Sequence, residues 1–217
     1  MNYKDRKDTH DYFTPEHVQV FLRNHRTGLD NQGRQYLGHI VKLYGTGPEV
    51  KFLDIACCTG TTFETIKLMG LNISYTGIDR TKQFLAHARN LYKDYQPRPE
   101  FLEGYAQELP FKDGEFDLVC IRHLLEHLPD GYEAAIKEAV RVASKEAIIV
   151  FFLEPHSGSE DIIKEEGPDE RGCTYYWNNY SRSKLLKFLS QFGCQIKVER
   201  VETPGAAHAD LIIRLIK

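Results

Sequence analysis

Three stretches of this 217-residue chain hold residues whose types and spacing suit chemistry. The run LDIACCTGTT (53–62) passes from apolar residues into small and polar ones, and Asp79 follows nineteen positions after Gly60. An acidic residue about twenty positions beyond such a turn is placed to accept the hydroxyls of a ribose. The second stretch is HLLEH, with His123, Glu126 and His127. On a helix, positions i, i+3 and i+4 share a face and converge on one divalent cation. The pattern also matches an inverted zincin signature, but the surrounding elements do not read as a metalloprotease. An imidazole of near-neutral pKa also suits a base or a pocket wall, and a purely structural helix anchor is the third reading. Histidine as pocket wall or base is preferred to metal here, so no metal is expected, with His123, Glu126 and His127 as the alternative ligand set. The third stretch holds His156 and then Tyr175, Tyr176, Trp177 and Tyr180. Aromatic walls with a few polar groups suit an organic ligand, although a satellite core beneath a long loop has the same composition.

Positioning these residues takes alternating elements. VKFLDIA (50–56), NISYTGID (72–79), PEFLEGYA (99–106), EFDLVCIRH (115–123) and EAIIVFFLEP (146–155) are short apolar runs that predict strands. Between them TTFETIKLM, TKQFLAHARNLYKDY and GYEAAIKEAVRVA predict helices. SRSKLLKFLSQF predicts another, followed by two strands, CQIKVERVE and ADLIIRLIK, joined by the turn TPGAAH. Upstream, PEHVQVFLRN, with Pro15 at a helix start, and GRQYLGHIVKLY predict two short helices. The pattern predicts an α/β fold: a mostly parallel, seven-stranded Rossmann-like sheet with helices on both faces and an antiparallel C-terminal strand pair. Ligands of such sheets bind beyond the carboxyl ends of the strands, where the strand order switches.

Residues at those strand ends resemble the class I S-adenosylmethionine-dependent methyltransferases, in their small-molecule branch. LDIACCTG matches the first family motif, approximately LD-x-GCGTG, except at Ala56 and Cys58. GIDRTKQFLAHAR resembles the second motif, AQELPFKDGEFDLV the third and IRHLLEHLPD the segment after the fourth strand, over about residues 48–155. The resemblance implies S-adenosylmethionine as cofactor. It implies that Asp54, Cys57 and the backbone near Ala56 and Gly60 hold the methionine part and that Asp79 holds the ribose. Arg80, Ala106 and Gln107 would then surround the adenine, and Arg122 belongs to the same cofactor set. Ala56 and Cys58 are accommodated if both take negative φ and merely narrow the pocket. Methyl transfer to an oxygen or nitrogen of a small organic acceptor follows, with His123 or His127 as catalytic residue and His156, Tyr176, Trp177 and Tyr180 lining the acceptor. A cofactor-binding partner subunit without activity, or a protein or RNA methyltransferase, are the alternatives. Within the E-x-x-E-H pattern of metal-dependent relatives, His123 replaces the first glutamate.

Length suits one domain: an N-terminal helical arm and cap (1–47), the cofactor core (48–155), a substrate-side loop (156–180) and the C-terminal helix with its strand pair (181–217). Tyr3, Tyr12 and Phe13 of the arm are placed to close the acceptor face. A net charge of −3 and pI near 6.3 give no attraction to phosphate backbones, so no nucleic acid partner is expected. No apolar window approaches a membrane span, and MNYKDRKDTH is not signal-like. Five cysteines without a CxxC pair fit a cytoplasmic location.

Overall fold

A computed structural model describes residues 31–128, 130–167, 175–206 and 208–217. The helix expected from Pro15, the aromatic arm (Tyr3, Tyr12, Phe13) and Cys173 lie outside these residues. Among the described residues the elements run α1 (Gln32–Lys42), β1 (Lys51–Ile55), α2 (Thr61–Leu68), β2 (Ser74–Asp79), α3 (Lys82–Leu91), β3 (Glu100–Glu103) and β4 (Phe116–Arg122). They continue through α4 (Glu133–Val142), β5 (Ala143–Phe151), β6 (Glu165–Glu166), β7 (Tyr175–Tyr176), α5 (Arg182–Leu189), β8 (Gln195–Val201) and β9 (Asp210–Ile216).

The sheet order is β3-β2-β1-β4-β5-β9-β8. Strands β1 to β5 are parallel, and β9 lies antiparallel between β5 and β8, as the terminal pair predicted. The central strands are apolar at consecutive positions because both faces are covered. Leu53, Ile55, Val119, Ile121, Ala147 and Ile149 face one core, which is closed by Ala135, Ile136 and Ala139 of α4 and Leu185 and Leu189 of α5. Phe52, Leu118, Cys120, Ile148 and Val150 face the other, closed by Leu37, Ile40 and Val41 of α1 with residues of α2 and α3. The period-two alternation of a strand sends neighbours to opposite layers.

Local chemistry sets the helix starts. Asn31 accepts the Arg34 N–H at 2.8 Å, and Ser181 likewise caps α5 through the Lys184 N–H. Gly60 precedes α2 at φ 79°, and a Cβ there would stand 2.7 Å from the Tyr92 ring, so only glycine lets α2 pack this closely on Tyr92 and Phe101. The long loop is not featureless: Glu165↔Tyr176 and Glu166↔Tyr175 pair as a small antiparallel ladder, extended by Ile162 with Asn179.

Candidate active site

Strand order reverses between β1 and β4, since the chain runs outward from β1 to β2 and β3 on one side and through β4 to β5 on the other. The residues just beyond the carboxyl ends of these two strands are strained. Ala56 (φ 60°), Cys58 (φ 52°) and His123 (φ 52°) are the non-glycine residues of positive φ among the described residues. Left-handed backbone costs an L-residue roughly 1–2 kcal/mol, and such strain persists where the surroundings over-determine it. The expectation of negative φ at Ala56 and Cys58 is therefore corrected. The turn keeps the path that glycine would give it, and the Cβ atoms are tolerated at a cost in strain.

Buried acids hold that turn. Asp54, 2 % exposed, accepts the Tyr75 hydroxyl at 2.6 Å, and burial lifts its carboxyl to about 6 against the opposing hydrogen bonds of Tyr75 and Thr62. Asp79 ends β2 and accepts the Cys58 N–H at 2.9 Å and the Thr81 N–H at 2.8 Å. It is thus a strand-end cap, and an ionised carboxylate offers about four lone-pair sites in all. Cys57 turns inward: its side chain is 3 % exposed, its N–H donates to Ile78 O, and its carbonyl accepts the Gly60 N–H. It serves the site by shaping the turn. The Cys57 sulfur also explains Gly77 in β2, where a Cβ would lie 2.6 Å from it.

Arg80 lies over the Tyr105 ring at 5.8 Å, which ties the end of β2 to the turn after β3, where Ala106 and Gln107 are half-buried. An S-adenosyl cofactor has a ribose diol, an ammonium, a carboxylate and an adenine edge, and the donor set here fits those groups. Asp79 is an acidic acceptor at the end of β2, and Thr59 Oγ1, within the turn, and Arg122 Nε, at the end of β4, are buried with no hydrogen-bond partner among the described residues.

The HLLEH segment is not one helix. His123 is left-handed, and Leu125–His127 form a single 3-10 turn, so the helical spacing argument for a shared face fails. The three side chains turn to separate partners. His123 Nε2 lies 2.8 Å from Asp210 Oδ1, and His127 Nδ1 donates to the Tyr176 carbonyl at 2.9 Å. Glu126 Oε1 accepts the Phe152 and Leu153 N–H groups at 2.7 and 3.3 Å. Among the described residues no group of three His, Cys, Asp or Glu side chains is arranged to hold a metal ion. Burial raises the Glu126 carboxyl to about 7. Burial, with the nearby Arg122 charge, takes His123 down to about 4 despite its hydrogen bond to Asp210.

Beyond β4 and β5 the rings of His123, His127, Phe152 and Trp177 form one cluster. Phe152 lies 5.4 Å from His123 and stacks on His127 at 5.5 Å, while Trp177 meets His127 edge-on at 5.1 Å. Trp177 is 40 % exposed. Tyr176 reaches the cluster through its carbonyl. Tyr180 is 2 % exposed, with its hydroxyl donating to Leu125 O at 2.5 Å, so it is core beneath the loop and not a wall. His156 is elsewhere: its N–H donates to Tyr180 O, its carbonyl accepts from Arg182, and its Nδ1 accepts the Gly158 N–H. Sequence reasoning missed Asp210 and Phe152. The only signal for Asp210 was an acid opening an otherwise apolar strand, and Phe152 was hidden within VFFLEP.

Residues 53–151 match the family described as methyltransferase domain. Ajmaline N-methyltransferase from Rauvolfia serpentina is 36 % identical over 131 residues, 55 % of this chain and 43 % of that protein. Demethylmenaquinone methyltransferase from Lactococcus lactis is 35 % identical over 104 residues, 47 % of this chain and 41 % of that protein. The matches thus span less than half the length of these two curated relatives. In fold, the chain resembles magnesium protoporphyrin IX methyltransferase from Synechocystis PCC 6803 with bound S-adenosylhomocysteine: TM-score 0.66, 18 % identity, 96 % of this chain and 97 % of that one. It also resembles 1,6-didemethyltoxoflavin-N1-methyltransferase from Burkholderia thailandensis (TM-score 0.62, 16 % identity, 86 % and 79 % covered). Residues 53–151 thus match a methyltransferase domain, and the sheet shares the fold of solved methyltransferases that bind S-adenosylmethionine.

Proposed function

We propose that this protein transfers the methyl group of S-adenosylmethionine to an oxygen or nitrogen of a small organic acceptor. The observation that carries this reading is the gathering of the strained residues Ala56, Cys58 and His123 at the strand-order switch, beside the buried acids Asp54 and Asp79. The cofactor supplies a methyl carbon on a sulfonium, which is already a good leaving group. The protein's work is then alignment, and acceptance of a proton where the acceptor must lose one. Asp79 would hold the ribose. The turn 56–60, Asp54 and Arg122 would hold the amino-acid end, and Arg80, Ala106 and Gln107 the adenine. His123, His127, Phe152, Tyr176 and Trp177 would face the acceptor. The similarity to ajmaline N-methyltransferase and demethylmenaquinone methyltransferase supports a small acceptor. Among the described residues no helix is long and apolar enough to cross a membrane, and Cys57, Cys58, Cys120 and Cys194 are free thiols, which supports a reducing cytoplasmic setting.

Calorimetric titration with S-adenosylmethionine and S-adenosylhomocysteine should give micromolar-scale binding. Asp79→Asn should weaken it by about 2–3 kcal/mol, through loss of charge-assisted hydrogen bonds. Because Asp79 also holds the Cys58 and Thr81 N–H groups, thermal melting of the variant must accompany the titration. No binding by a folded wild-type protein refutes the reading. A second reading, a partner subunit that binds the cofactor without turnover, is favoured by the Ala56 and Cys58 side chains. Tight binding without methyl transfer to any acceptor in a cell extract would select it.

A further inference from the structure

We propose that Asp210 is a positioning residue that holds His123 as the base of methyl transfer, with Nε2 carrying the proton and Nδ1 receiving the acceptor's proton. This rests on the methyltransferase reading and names one nitrogen within it.

Asp210 opens β9, which runs antiparallel to β5, so its carboxylate arrives at the carboxyl ends of the parallel strands. Its Oδ1 meets His123 Nε2 at 2.8 Å, while Oδ2 meets Arg122 at 3.2 Å. Burial pushes the Asp210 carboxyl up, but the His123 and Arg122 contacts outweigh it and leave the group below its ordinary value, ionised. An ionised carboxylate only accepts hydrogen bonds, so the facing Nε2 must carry hydrogen. In the neutral ring the lone pair then belongs to Nδ1, which makes no hydrogen bond among the described residues. The ring keeps 27 % of its surface open. The same ring packs edge-on against Phe152, within the aromatic cluster that would face the acceptor.

The groups around His123 favour a neutral resting imidazole: burial and Arg122 oppose its charge, His127 adds to that, and Asp210 works the other way. In the transfer, the acceptor's lone pair forms the bond to the methyl carbon, and the electron pair of the breaking C–S bond stays on sulfur. The acceptor's proton passes to Nδ1, and water takes it afterwards. The imidazolium formed in between lies against the Asp210 carboxylate. The acceptor is therefore one that must lose a proton on methylation, a hydroxyl or an amine, rather than an anion that is already a nucleophile.

The first measurement needs no acceptor: nitrogen NMR of imidazole-labelled full-length protein, with the His123 signal assigned by its loss in His123→Asn. Asparagine tolerates left-handed backbone, so that variant should fold. A wild-type ring protonated at Nε2, with a mixed or inverted tautomer in Asp210→Asn, is the expected result. Protonation at Nδ1 in the wild type, or an unchanged tautomer in a folded Asp210→Asn, overturns the proposal. The second measurement uses tritiated-methyl S-adenosylmethionine with panels of phenols and secondary amines. Asp210→Asn should lower kcat at least 100-fold, far beyond any change in cofactor affinity that reaches the site through Arg122, Asp210→Glu should recover part of it, and rising pH should restore rate as the acceptor ionises unaided. Equal kcat in Asp210→Asn also overturns it. Absence of cofactor binding in the wild type refutes the methyltransferase reading instead, whatever the tautomer.

Discussion

At the residue scale, Ala56 and Cys58 show how a side chain alters a turn without moving it. Glycine at either position would release left-handed strain of roughly 1–2 kcal/mol and add backbone entropy worth roughly 0.5–1 kcal/mol to the unfolded chain. The first effect is the larger. Ala56→Gly and Cys58→Gly should each leave the protein as stable as the wild type or raise its stability by up to about 1 kcal/mol, read as a small rise in Tm. A clear fall in Tm at both sites would show that the side chains contribute packing that outweighs the strain. Titration of the double variant with S-adenosylmethionine separates two uses of those side chains. A tenfold or larger rise in affinity means that they obstruct the cofactor, and unchanged affinity means that they only line it.

At the scale of elements, Glu126 joins two strand ends. Its carboxylate receives the first N–H groups after β5, and its own carbonyl accepts the Asn178 N–H at 2.7 Å, so the turn after β4, the end of β5 and the long loop meet at one residue. The second oxygen, Oε2, has no hydrogen-bond partner among the described residues. Burial raises the Glu126 pKa from 4.5 to about 7, so the folded state binds this proton more tightly than the unfolded chain. Its contribution is fully present below about pH 4.5 and is lost as pH rises through 7, on the order of 3 kcal/mol over that window. Asp54, raised to about 6, acts in the same direction at slightly lower pH. His123, lowered to about 4, acts oppositely: its contribution is present above its ordinary pKa near 6.5 and falls away toward pH 4. Glu126→Gln keeps the accepting oxygen and removes the charge. Its Tm should match the wild type near pH 5 and exceed it at pH 8, and a Tm–pH curve parallel to that of the wild type would contradict this account.

At the scale of the molecule, a second buried polar group ties the antiparallel pair to the parallel sheet, away from the site. Arg214 of β9 donates to both oxygens of Glu146 in β5 at 2.6 and 2.8 Å, and Tyr44, beyond α1, donates to the same carboxylate at 2.6 Å. Glu146 is fully buried, so removing its cation strands a charge. Arg214→Leu should cost about 3–5 kcal/mol, visible as a fall in the midpoint of urea unfolding, and cofactor affinity of the folded fraction should not change. A loss below about 1 kcal/mol would mean that water reaches Glu146.

The sequence by itself determined the layers and the place of the site. Short continuous apolar strands, helices with one apolar face, and acids at strand ends are local patterns, each readable within about ten residues. They were enough to place Asp54, Asp79 and the turn 53–60 at one end of a parallel sheet. What only the tertiary structure decided depends on residues far apart in the chain. HLLEH reads as one helical face until His123 turns left-handed and reaches Asp210, 87 residues away. Tyr180 reads as a pocket wall until its hydroxyl is found on Leu125 O, 55 residues away. The φ of Ala56 and Cys58 belongs to the same class. A local preference argues for negative φ, but the Cys58 N–H must reach Asp79, 21 residues on, and the closure of the sheet overrides the preference of one residue.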